Sequence, residues 1–190
     1  MFIRADLFRY TGKTDKRTLR RCRSTNNHFR MTYYMRMCTW VRQQMQTKPL
    51  LRYTLFPFYK LRMLKAAGRI GIEIHESTQI GKGLHIAHSG CIVVHIGAVL
   101  GDNVSISQGV VIGQTIRDGK VLLPVIGNNV YIAPGAKVIG GVHVGNHVAI
   151  GANAVVTHDI PDGAVVAGVP ARVLHIGGAD DYILNPYESE

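Results

Sequence analysis

The side chains of this chain that can move protons, attack a carbonyl or hold a metal are nine histidines, three cysteines and twelve carboxylates. Histidine is the type whose unperturbed pKa, about 6.5, lets it accept or release a proton near neutral pH. The cysteines, Cys22, Cys38 and Cys91, are odd in number and widely spaced. That spacing predicts neither a disulfide framework nor a zinc site, and no metal is expected. Reduced thiols in a cytoplasmic protein are the simpler expectation. His75, His85, His95, His143, His147 and His158 read as structural or solvent-facing. Histidine content alone therefore does not define a site, and the framework that positions these side chains has to be read first.

Aliphatic residues recur every six positions. Ile74, Ile80 and Ile86 open the series, and after a two-residue slip come Val94, Leu100, Ile106 and Ile112. After a longer interruption follow Ile126, Ile132, Val138, Val144, Ile150 and Val156. The next residue is usually tiny, as at Gly81, Gly101, Gly127 and Gly145. Six residues is not a whole number of helical turns, and each glycine would cost a helix about 1 kcal/mol. A β-sandwich needs alternation with a period of two instead. A chain that turns a corner every six residues can use the pattern. Three strand-plus-corner units make a triangular coil, the coils stack, and the leading residues pile into internal ladders. Thirteen such units predict just over four coils of a mainly β, parallel β-helix. The slip falls at 88–93 and the interruption at 116–125. Insertions in a solenoid are pushed out at a corner and tend to build the site.

Charge divides the chain in two. Residues 1–69 hold 17 of the 22 Lys and Arg against Asp6 and Asp15, whereas residues 70–190 hold ten of the twelve acids. The divide predicts a basic, mostly helical N-terminal region over 1–70, a β-helix over 71–176 and a C-terminal tail over 177–190. Residues 17–46 read as one helix, with Phe29, Tyr33, Met37, Trp40, Val41 and Gln44 spaced by three and four. A second stretch around Leu50–Ala67 reads as a helix broken by Pro57. These helices are expected to cover the open first coil. The charge would suit an anionic membrane surface reached through residues 1–69. Nucleic acid is disfavoured, because no reader motif is present. No run is apolar enough to span a bilayer, and the charged start does not read as a secretory leader. The expected location is cytoplasmic, with a peripheral contact to the inner membrane.

The segments Ile-Glu-Ile-His (72–75), Ile-Gly-Lys-Gly-Leu-His-Ile-Ala-His (80–88), Gly-Cys-Ile-Val-Val (90–94), residues 102–113 and 126–137, Ile-Gly-Ala-Asn-Ala-Val-Val (150–156) and Ala-Gly-Val-Pro-Ala-Arg-Val (167–173) carry a resemblance. Over Gly71–Gly177 the chain resembles the left-handed β-helix acyltransferases, in their serine acetyltransferase-like branch. The resemblance implies a left-handed helix and a homotrimer with acetyl-CoA, the co-substrate, in grooves between subunits. It implies that His88 takes the proton from an acceptor hydroxyl attacking the thioester, with Glu73 orienting it where the family mostly has Asp. Acetyl-CoA is expected along a coil edge near Gly113, Pro134 and Ala152, with Lys137 and Arg172 toward its phosphates. Asp15 is a loosely matched candidate for binding the acceptor.

The resemblance also has gaps. The family has Asp before the catalytic His, and Ala87 stands there. It has an Arg-His-Pro element on the extruded loop, and Leu123 replaces that His. A zwitterionic acceptor needs charged partners, so these losses point to a sugar or polysaccharide hydroxyl, as in relatives encoded in capsule and O-antigen loci. Serine O-acetylation is the alternative reading, and a non-catalytic β-helix scaffold the second.

Overall fold

The computed structural model describes residues 2–188. Four helices lead: α1 (Ile3–Thr11), α2 (Lys16–Thr25), α3 (Asn27–Gln44) and α4 (Leu55–Ile70), with a 3-10 turn at Pro49–Arg52. The single helix expected over 17–46 is two helices. Asn26 is extended, ends α2 and caps α3, its side chain accepting from the Phe29 N–H. Asp15 caps α2 in the same way, accepting from the N–H groups of Arg17 and Thr18. Pro57 does not break the later stretch. It falls in the first turn of α4, where an N–H would have no partner inside the helix. α1 has no counterpart among the expected elements.

The rest is a left-handed parallel β-helix of about five coils. Its first sheet stacks Ile72–Ile74, Ile92–Val94, Val111–Gly113, Lys137–Ile139 and Val155–Val156. The second stacks Gln79–Ile80, Val99–Leu100, Val125–Ile126 and His143–Val144, and the third His85–Ile86, Ser105–Ile106, Tyr131–Ile132, Ala149–Ile150 and Ala164–Ala167. The antiparallel strand Arg172–Ile176 ends the third sheet. Parallel register makes three buried ladders. One runs Ile74, Val94, Ile112, Val138, Val156, and another Ile86, Ile106, Ile132, Ile150, Val166. Ile80, Leu100, Ile126 and Val144 form the third, and Ile160 bridges Val144 to complete it. Ile160 and Val166 therefore extend the thirteen expected units into a fifth coil.

The small residues after the ladder positions are required by spacing between coils. A Cβ on Gly81 would lie 2.6 Å from the Gly101 carbonyl oxygen, and one on Gly101 2.6 Å from that of Gly127. The same edge is sewn by side chains. Asp102, Asn128, Asn146 and Asp162 accept from the backbone N–H of Lys82, Asp102, Asn128 and Asn146 at 2.7–2.9 Å.

The first coil has no coil before it, so its outward backbone groups need other partners. The helices supply them. Asp6 accepts from Leu84 N–H at 2.9 Å, and Arg36 donates to the carbonyls of Ile80 and Gly81. The Tyr10 hydroxyl accepts from Ile86 N–H at 2.9 Å, and Thr39 donates to the Glu76 carbonyl. Asp6 and Arg36 are themselves paired at 2.8 Å and buried. Met31, Met35, Met63, Ala67 and Ile70 continue the solenoid core into the cap.

Arg36→Met leaves a buried carboxylate without its cation and should cost about 3–5 kcal/mol. Ile132→Ala removes a ladder residue and should cost about 2–5 kcal/mol. Ile116→Ala, on an exposed hairpin, should stay within about 0.5 kcal/mol. Urea unfolding of the three variants checks this order.

Candidate active site

The two interruptions of the repeat emerge at different edges of the triangular solenoid. Residues 87–91 turn the chain from the third sheet into the first, and His88 and Ser89 are exposed on that corner. The later interruption forms a β-hairpin, Thr115–Arg117 with Lys120–Leu122, at the corner between the first and second sheets. Its turn residues, Asp118 and Gly119, have φ of 51° and 71°. The expectation that both interruptions bring base and acceptor together is not met within one chain.

Leu123 has a packing role. A Cβ on Gly97 would come within 2.6 Å of its Cδ1, and one on Gly141 would lie 3.1 Å from the Cβ of the neighbouring Leu122. Leu123 therefore lies against Gly97 at the hairpin root.

His88 shares its edge with Pro134 and Ala152, which occupy the same corner two and three coils further on. Gly109 N–H donates to Gly90, Gly135 N–H to Gln108 and Asn153 N–H to Pro134, so these corners stack directly. Ala152 is exposed and Pro134 half-buried. Lys137 leaves this edge along the first sheet, and its ammonium donates to the carbonyls of Gly109 and Gly135 at 2.6 and 2.8 Å. Arg172 is exposed, and its guanidinium donates to the Ala171 carbonyl.

Gly113 ends the third strand of the first sheet, and Glu73 lies two residues beyond Gly71, whose carbonyl accepts from Ile92 N–H just after the His88 corner. Glu73 is exposed on the outer face of the first sheet beside Val93. With Gly113, Lys60, His75 and His95 it lines a cleft of about 580 Å³ under α4. His75 and His95 hold equivalent positions in successive coils. The Nδ1 of each accepts a backbone N–H, from Ser77 and Gly97, at 3.1 Å. Asp15 is exposed at the start of α2, and hydrogen bonds from Thr18 hold its carboxyl below the usual range.

Sequence reasoning passed over His28. It sits in the first turn of α3, and its Nε2 lies 2.8 Å from the Ser89 hydroxyl. Burial, and then the charge of nearby His88, lower its affinity for a proton. His28 and Ser89 are 61 residues apart, and no local pattern announces the contact.

Residues 124–158 match the family described as bacterial transferase hexapeptide (six repeats). The chain is 38% identical over 119 residues to a serine acetyltransferase of Synechococcus elongatus, covering 62% of this chain and 49% of that protein. A serine acetyltransferase structure from Neisseria gonorrhoeae superposes with a TM-score of 0.71 at 29% identity, over 92% of this chain and 65% of that one. The Brucella abortus serine acetyltransferase, solved in complex with coenzyme A, gives 0.72 at 28% identity, over 93% and 68%. The chain spans about half the length of the curated relatives it matches. These relatives are serine acetyltransferases, which overturns the sugar hydroxyl expected as acceptor and leaves the placement among polysaccharide-locus enzymes without support.

His85 tests the electrostatics of this corner. Burial against Tyr10, whose ring centroid is 4.6 Å away, is the main cause that pushes its pKa down to about 4. The unfolded chain therefore takes up the proton first, and stability falls as pH drops from about 6.5 to about 4. His85→Gln should flatten that part of the curve by up to about 3 kcal/mol. Urea unfolding at a series of pH values reads the difference, and equal slopes would refute the assignment.

Proposed function

We propose that the chain is an acetyl-CoA-dependent O-acetyltransferase whose acceptor is the hydroxyl of serine, with His88 as general base. The observation that carries the reading is an exposed imidazole on an extruded corner, in line with a stacked edge of small residues. The similarity to serine acetyltransferases supports the donor and the acceptor class.

In this reading His88 accepts the serine hydroxyl proton while the oxygen attacks the thioester carbonyl. The C–S bond then breaks, and the imidazolium returns the proton to the departing sulfur. Acetyl-CoA would lie as an extended arm along the corners at Pro134 and Ala152, with Gly113 leaving room on a neighbouring edge. Arg172 would meet its phosphates, and Lys137 would do so by exchanging two carbonyls for a phosphate.

The His88 corner and the hairpin lie on different edges of the prism, whereas Glu73 is exposed two residues from Gly71, which stacks against the His88 corner. The separation of corner and hairpin supports a homotrimer in which a neighbouring copy supplies the second wall of each site, while Glu73 of the same chain is the carboxylate that would orient His88. Asp15, ionised at neutral pH, is the candidate partner for the ammonium group of serine. Ala87 supplies no charge there.

Acetyl-CoA and L-serine together should release thiol well above the rate with acetyl-CoA alone, with O-acetylserine identified by mass spectrometry. Turnover no faster than hydrolysis, by a protein shown to bind coenzyme A, would overturn serine as the acceptor.

A further inference from the structure

Residues 48–70 hold six basic side chains, Lys48, Arg52, Lys60, Arg62, Lys65 and Arg69, and no acid. Among the described residues Lys60 alone of these forms an ion pair, with Glu76. Apolar side chains point outward over the same stretch. Leu50 is 77% exposed, Tyr53 75%, Leu61 67% and Phe58 49%. Met63, Ala66, Ala67 and Ile70 take the buried stripe of α4. With 3.6 residues per turn, Leu61 falls opposite that stripe, with Lys65 and Phe58 beside it and Arg62 further round. The Arg62 guanidinium lies over the Phe58 ring, 5.1 Å from its centroid. A cleft of about 530 Å³ continues this face toward α2 and α3, with Arg23, Arg30, Arg62, Lys65 and Arg69 in its wall and no carboxylate among its lining residues.

We propose that this face, the 3-10 turn at Pro49–Arg52 with the outer side of α4, docks in plane on an anionic lipid bilayer. Leu50, Tyr53, Phe58 and Leu61 enter the headgroup region, and Arg52, Arg62, Lys65 and Arg69 pair with lipid phosphates. An apolar row with a basic rim is the pattern of a helix that lies in the interface. Among the described residues no helix is long and apolar enough to cross a membrane, so the contact is peripheral. Charge complementarity selects the occupant. A second copy of this chain would bring two unpaired basic faces together, whereas an anionic leaflet neutralises them. Nothing in this contact depends on acetyl transfer.

The test is co-sedimentation of the full chain with vesicles of phosphatidylcholine plus phosphatidylglycerol, and of phosphatidylcholine alone. Binding is expected with the anionic vesicles at low salt and should weaken about tenfold at high salt, as screening requires. Leu61→Asp, and separately the pair Arg62→Glu and Lys65→Glu, should each lower partitioning about tenfold with unchanged circular dichroism and melting temperature. Equal binding to the neutral vesicles, or unchanged partitioning of both variants, would overturn the proposal. So would self-association that Leu61→Asp abolishes with no vesicle binding, which would assign the face to a contact between copies.

Discussion

Parallel backbone hydrogen bonds between successive coils hold each residue over its counterpart one coil away, and every other feature of the molecule depends on that register. It aligns Ile86, Ile106, Ile132 and Ile150 into one buried column. It brings the glycine backbones at 81, 101 and 127 too close for a Cβ. It also puts His88, Pro134 and Ala152 on a single edge. Such a ladder has an open end, and the first coil would expose the N–H groups of Leu84 and Ile86 and the carbonyls of Ile80 and Gly81. Asp6, Tyr10 and Arg36 terminate it. The helical cap is thus the last layer of the solenoid's hydrogen bonding as well as an apolar lid.

The same register limits what one chain can do. A corner insertion stays at its corner, so the His88 corner and the hairpin after Gly113 are fixed on separate edges. In the proposed reading, the second wall of the acyl-transfer site would come from another copy. His28 and Ser89 show that the cap also reaches the His88 corner, so the helices help to shape this site.

The ladders were legible because the six-residue period survives two interruptions. The fifth coil was not. Ile160 follows Val156 by four residues instead of six, and a period-based reading stops there. The break between α2 and α3 depends on Asn26 leaving the helical region to cap its neighbour, which periodicity over 17–46 does not register. Pro57 was misleading because its effect depends on whether the helix begins at residue 55 or earlier. Leu123 lies against Gly97, 26 positions earlier in the chain, a neighbour that no local pattern announces. The site was legible only in its parts. Contacts such as Asp6 with Arg36, or His28 with Ser89, join residues 30 and 61 positions apart and follow from the fold as a whole.

The reading stands or falls on His88. Thiol release from acetyl-CoA in the presence of L-serine, compared between the native chain and His88→Ala, measures its role directly. A general base contributes about 10²- to 10⁴-fold, so kcat should fall by that factor while coenzyme A binding is retained. Turnover within about threefold of the native rate, with the proton-transfer group gone, would contradict the account.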